Sequence, residues 1–335
     1  MRWTRNRVFI TASSAVAVAA ISVAAGLILS PSSRHQPATR PRPSASAPLL
    51  SPFTGQPVRS LGRVLAVKID NIVYARPQTG LTRADIVYVL PVEGGLSRFL
   101  AIFSSHIPPV IGPVRSARQD DLELLRQFDR PAFAWSGAQP RLTRVVERAK
   151  IVDLYAALVR GYYRDYNRIA PYNLFARTSQ LMGESKGAST AHSIGFRFGP
   201  APAGGRATAR KSVSYPAASF TFTWSAARKG WLVWIDGARA ASTEGQQLSA
   251  ATVVIQHTVV GTSPFLEQGR RPPYAQTTGS GTAVVLRNGK AYQVRWSRPR
   301  ADAGTTFTTD SGQPMTFAPG PVWIVLVGNR AAESG

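Results

Sequence analysis

The chain has 335 residues, 44% of them hydrophobic, a formal charge of +23 and no cysteine. Absence of cysteine excludes a disulfide framework, thiol chemistry and Cys-ligated zinc or iron–sulfur sites. The four histidines (His35, His106, His192, His257) are not at metal-ligand spacing, so neither a metal nor a cofactor is expected.

The positive excess is +6 over residues 1–43, +12 over residues 44–215 and +5 over residues 216–335. Such a field favours anionic partners. Arginine outnumbers lysine 34 to 6, so an arginine- and alanine-rich composition accounts for the same excess with no partner behind it.

Arg2, Arg5 and Arg7 precede an uncharged apolar run over residues 8–29. That is long enough to cross the hydrocarbon core of a bilayer, with the basic flank staying inside. Residues 1–30 are therefore read as a signal anchor, or as a signal peptide if cleavage occurs near Ala45-Ser46-Ala47. Residues 31–50, rich in Pro, Ser, Ala and Arg, form a spacer without hydrophobic periodicity. The body is expected outside the cytoplasm, at the cell membrane, which argues against nucleic acid as a partner.

The body is divided into an α+β region over residues 51–205 and a β-rich region over residues 206–330. Apolar runs predict strands over residues 63–70, 84–93 and 96–104, the last two joined as a hairpin across Glu93-Gly94-Gly95. From Arg115 the period becomes helical, with Ala117, Leu124, Leu125 and Phe128 inward and Asp120, Asp121, Glu123 and Arg126 towards solvent. A strand over 133–135, a helix over 140–150, a strand over 151–154, an aromatic loop over 162–175 and a short helix over 179–184 follow. Beyond the Pro/Gly-rich segment 199–205, strands are expected over 219–224, 230–236, 251–260, 281–287, 291–296 and 322–327, with Asn288-Gly289 closing a hairpin.

Strand ends and the helix start place Asp70, Asn71, Arg76, Glu93, Arg98, Arg115, Ser116 and Arg118 within one supersecondary unit. A helix start presents unpaired N–H groups and positive dipole potential. With Ser116 as N-cap and the guanidinium groups of Arg115 and Arg118 beside it, an external anion would be bound there. The alternative is that the two arginines pair with Asp70, Asp85 or Glu93 of the chain itself. Asp70 and Glu93 are also the weak candidates for catalysis, as the acid and base of a hydrolase acting on a wall glycan.

The motifs P-F-T-G (52–55), I-D-N (69–71), A-R-P-Q-T-G-L (75–81), E-G-G-L-S-R-F-L (93–100), I-G-P-V-R-S-A-R (111–118) and A-P-Y-N-L-F (170–175) resemble those of the YerB-like bacterial lipoproteins, a family of unknown function. The segments T-V-V-I-Q (252–256), R-N-G-K (287–290) and P-G-P-V-W-I (319–324) are similar to its second region. The resemblance implies an extracytoplasmic α+β body, a layered β-β-α sandwich-like fold whose two regions can join. It supplies no activity. Two departures are visible: the lipidated cysteine is missing, and Pro171-Tyr172-Asn173 stands where relatives carry Pro-His-Asn. Asn173 joins Asn71, Arg76, Arg98, Arg115, Ser116 and Arg118 as a candidate ligand-binding residue. The expected partner is an anionic envelope polymer or an envelope protein.

Overall fold

The apolar runs of the N-terminal half form a three-stranded antiparallel core. The computed structural model describes residues 47–267, 269–328 and 332–334. In it the half supplies β1 (Leu65–Asp70), β2 (Ile86–Pro91), β3 (Ser97–Phe103), α1 (Gln119–Leu125), β4 (Ala132–Trp135), α2 (Pro140–Glu147) and β5 (Val152–Tyr155). The C-terminal half supplies β6 (Arg210–Tyr215), β7 (Ala218–Ser225), β8 (Gly230–Ile235), β9 (Thr252–Thr258), β10 (Gly279–Arg287), β11 (Lys290–Arg298) and β12 (Val322–Gly328). The expected anchor and most of the spacer lie outside the described residues. Among the described residues no helix is long and apolar enough to cross a membrane.

The fold is a β-rich α+β structure. Among the described residues the large sheet has eleven strands: nine run in the order β11, β10, β9, β12, β2, β3, β1, β4 and β5, and the short strands Arg206–Ala207 and Thr306–Thr309 both pair with β11. Its two halves meet where β12 lies parallel to β2, with Ile86 opposite Val322 and Val89 opposite Val325. On its other side β12 pairs in parallel with β9. Central strands of this kind are buried on both faces, which is why β2 and β12 read as unbroken apolar runs, while β1 is buried throughout although it carries Lys68 and Asp70. A six-stranded sheet contains β6, β7 and β8.

Strand alternation assigns the faces. Val67, Ile69, Phe99, Ala101, Val87, Val253 and Trp323 share a core with Phe220 and Phe222 of β7 and Trp231 and Val233 of β8. Phe99 meets Phe220 and Trp323 edge-on at 6.1 and 5.5 Å. On the other face Ala66, Ile86, Tyr88, Leu100 and Ile102 pack with Leu124 and Leu125 of α1 and Leu142 and Val146 of α2. Each such side chain contributes about 1.5–3 kcal/mol on full burial.

Three expectations are corrected. Residues 115–117 are not helical: the Arg115 N–H donates to the Lys68 carbonyl (2.9 Å) and the Ala117 N–H to the Gly137 carbonyl (2.8 Å). This extended segment is held between β1 and the loop after β4, so α1 starts only at Gln119. Asp120 and Asp121 face inward, at 1% and 0% exposure, because Lys68 of β1 lies beneath them. The aromatic loop includes two short paired strands, Tyr162–Arg164 and Leu174–Arg177.

Candidate functional site

Even-numbered residues of β1 point to the helix side, so Ala66, Lys68 and Asp70 form a row that becomes polar towards the strand end. Register sets Arg98 of β3 beside Asp70, and Leu100 beside Lys68. Two ionic clusters result along this row.

The inner cluster is sealed. Lys68 Nζ donates to Asp121 Oδ1 at 2.8 Å, and both side chains are fully buried. The second oxygen of Asp121 accepts the Arg118 N–H at 2.7 Å, capping α1. The helix start is thus neutralised from within, and Ser116 is not its N-cap. Burial lowers the Lys68 pKa, with Asp121 opposing that shift. Among the described residues neither carboxylate oxygen of Asp120 has a hydrogen-bond partner. Burial and the neighbouring Asp121 charge push its pKa well above the ordinary carboxylate value.

The outer cluster lines a cavity of about 300 Å³ that opens to solvent. Arg115 Nε donates to Asp70 Oδ2 at 2.7 Å. Arg118 grips Glu93 with two bonds, Nε to Oε1 at 2.6 Å and Nη2 to Oε2 at 3.0 Å, and reaches Glu267 at 3.5 Å. Bidentate pairs of this geometry are among the stronger ion pairs. Burial works to raise the Glu93 pKa, but the hydrogen bond and charge of Arg118 outweigh it and hold the carboxyl below its usual value. A carboxylate held in this way serves as an ion-pair partner; a general acid needs the opposite shift.

Arg98 is the exception. Its nearest carboxylate oxygen, on Asp70, lies 3.9 Å from Nε, beyond hydrogen-bond range. Its one hydrogen bond is a long one, from Nη1 to the Ser116 carbonyl at 3.4 Å, and Nε is sealed from water without an acceptor. Burial, followed by the repulsion of Arg118, pushes its pKa down to about 10, so it remains charged at neutral pH. The cavity therefore carries four arginines, with Arg270 the fourth, against the carboxylates of Asp70, Glu93 and Glu267. Among the described residues neither Arg98 nor the exposed Arg270 has a carboxylate within hydrogen-bond range, and of the two Arg98 is the one held in the buried wall of the cavity.

Of the residues singled out in the sequence, Asp70, Glu93, Arg98, Arg115 and Arg118 line this cavity. Asn71, Arg76, Ser116 and Asn173 do not. Arg76 pairs with Asp236 at 2.8 Å and donates to the Asn71 carbonyl at 2.6 Å. Asn71 is buried, bonded to Ser97, Arg76 and Gln78. Asn173 is buried and accepts from Arg164 at 2.7 Å. Asp85, a suggested arginine partner, instead accepts the N–H groups of Ser104 and Ser105.

Sequence reading missed Glu267 and Arg270, which reach the cavity from a distant loop with no local motif to mark them. Tyr172 also lines it; the Arg115 guanidinium lies 5.5 Å from the ring centroid, and Tyr74 stacks on the ring at 5.9 Å.

Comparison with known proteins matches residues 53–191 to the N-terminal domain and residues 211–324 to the C-terminal domain of a protein family of unknown function, DUF3048. The chain is 26% identical over 320 residues to a protein of Bacillus subtilis (strain 168) named "Putative lipoprotein YerB", covering 87% of this chain and 90% of that one. The crystal structure of YerB protein from Bacillus subtilis superposes with a TM-score of 0.73 at 23% identity, covering 86% of this chain and all of the other. That likeness shows a shared fold.

Proposed function

This chain belongs to the DUF3048 family, the YerB-like proteins, and we propose that it is an exported, membrane-anchored envelope protein that binds an anionic envelope ligand. The apolar run over residues 8–29 behind a basic flank supports export and anchoring. So does its likeness to a relative named as a lipoprotein. The two cores on opposite faces of the large sheet support a layered β-β-α arrangement, which leaves the polar end of the β1 row as the working surface.

The observation that carries the binding reading is the charge imbalance in the outer cavity. Arg115 and Arg118 are consumed by Asp70 and Glu93, but the Arg98 guanidinium lines the same space with its nearest carboxylate oxygen 3.9 Å away. A phosphate, sulfate or carboxylate entering there would complete the set. The hydrolase reading draws on the presence of Asp70 and Glu93 in one cavity, yet both are held ion-paired to arginine.

The test is calorimetric titration of the full chain with inorganic phosphate, comparing wild type with Arg98→Met. Loss of a hydrogen bond to a charged group, about 1.5–3 kcal/mol, should weaken binding tenfold or more. Equal binding by the two proteins would sink the assignment.

A further inference from the structure

A second cavity, of about 470 Å³, adjoins the arginine cavity and is mostly apolar, with Val92, Leu96, Tyr215, Pro216, Val260 and Pro273 in its walls. Val92, Glu93, Gly94, Leu96 and Arg270 line both spaces. Both fall in the size range of small-ligand sites, about 300–1,000 Å³.

The turn between them is built unevenly. Gly95 is locked in place: at φ +72°, a Cβ there would come within 2.6 Å of Pro216 Cβ, and its carbonyl accepts the Ala217 N–H at 2.9 Å. Gly94, at φ +71°, is exposed, and a Cβ on it would meet nothing closer than Leu96 Cδ1 at 3.8 Å. Bare backbone thus forms a low crossing between a cationic space and an apolar one.

Resting on the anion-binding reading, we infer that the ligand is an amphiphile whose anionic head, a phosphate or carboxylate, sits at Arg98 and whose single hydrocarbon chain crosses Gly94 into the apolar cavity. A head group alone would use only the arginine side of the shared wall. A chain covers the apolar side, and its burial strengthens binding with every methylene removed from water.

The experiment uses the full chain in phosphatidylcholine nanodiscs, with empty nanodiscs as blank, titrated with inorganic phosphate, hexyl phosphate, octyl phosphate and hexanol. Hexyl phosphate should bind at least tenfold tighter than phosphate, and octyl phosphate about tenfold tighter again. Hexanol should bind far more weakly than hexyl phosphate. Val260→Trp, which fills the apolar cavity from its exposed rim, should remove the chain-length gain and leave phosphate binding unchanged. The series on the wild type stands even if that variant is unstable.

If phosphate binds but chain length makes no difference, the amphiphile is excluded and the anion site stands, as it would for a free anion or an acidic polymer. If no phosphate species binds, the anion site itself is overturned. Hexanol binding as tightly as hexyl phosphate would leave an apolar pocket with no head-group role for Arg98.

Discussion

The inner and outer ionic clusters lie on the same face of the same sheet and use the same kinds of groups, yet they are built for different ends. Lys68 and Asp121 are both fully buried and matched one to one. Arg98, Arg115 and Arg118 open onto a cavity in which cations outnumber carboxylates. Density of charge alone does not distinguish a structural cluster from a binding site. Access together with an unmatched group does, because only then can a ligand from outside lower the energy of the set.

The largest expected effect lies in the sealed cluster. Asp121→Asn leaves the Lys68 ammonium buried without its counter-charge and should cost about 3–5 kcal/mol, read as a drop in the denaturation midpoint. Arg98→Met, used above for binding, should instead leave that midpoint nearly unchanged, since the group it removes has no close ion-pair partner. If both variants lose stability equally, the distinction between the clusters fails.

The two clusters also differ in the sign of their pH dependence. The folded pKa of Glu93 is depressed below 4.5, so its contribution is complete above that value and disappears as pH falls through the lower folded pKa. Asp120 has a raised folded pKa. Its folded form keeps a proton that the unfolded chain releases near pH 3.8, so stability declines as pH rises from there to the folded value. Glu93→Gln should flatten the acid limb of a stability profile over pH 3–8. Asp120→Asn should do nothing below pH 3.8 and stabilise increasingly above it. Identical profiles for the two variants would contradict this assignment.

The smallest effect is expected where water reaches both partners. Lys150 and Asp129 form an ion pair with side chains 68% and 54% exposed, and Lys150→Ala should change stability by less than about 1 kcal/mol. A loss close to that of Asp121→Asn would show that burial does not order these pairs.

Much of the fold was legible along the chain. The strands over 65–70, 86–91 and 97–103 follow from short, mostly apolar runs bounded by turn residues, and the hairpin at Asn288-Gly289 joins β10 to β11 with Arg287 opposite Lys290. The convergence of Asp70, Glu93, Arg98, Arg115 and Arg118 was also legible, since they sit at the ends of neighbouring strands within a short stretch. The burial of Asp120 and Asp121 was not, because helical periodicity treats a carboxylate as a surface group and cannot see Lys68 coming from another strand.

Sequence by itself determined the apolar N-terminal run, the β-rich α+β character and the set of charged residues gathered near one turn, because these depend on local pattern and short-range chain geometry. Tertiary structure alone decided that β12 joins β2, that Glu267 and Arg270 enter the cavity, and that Arg98, rather than Arg115 or Arg118, is left without a close partner. Ion pairing is settled by distances of a few ångströms between residues far apart in the chain, and no local pattern encodes those distances.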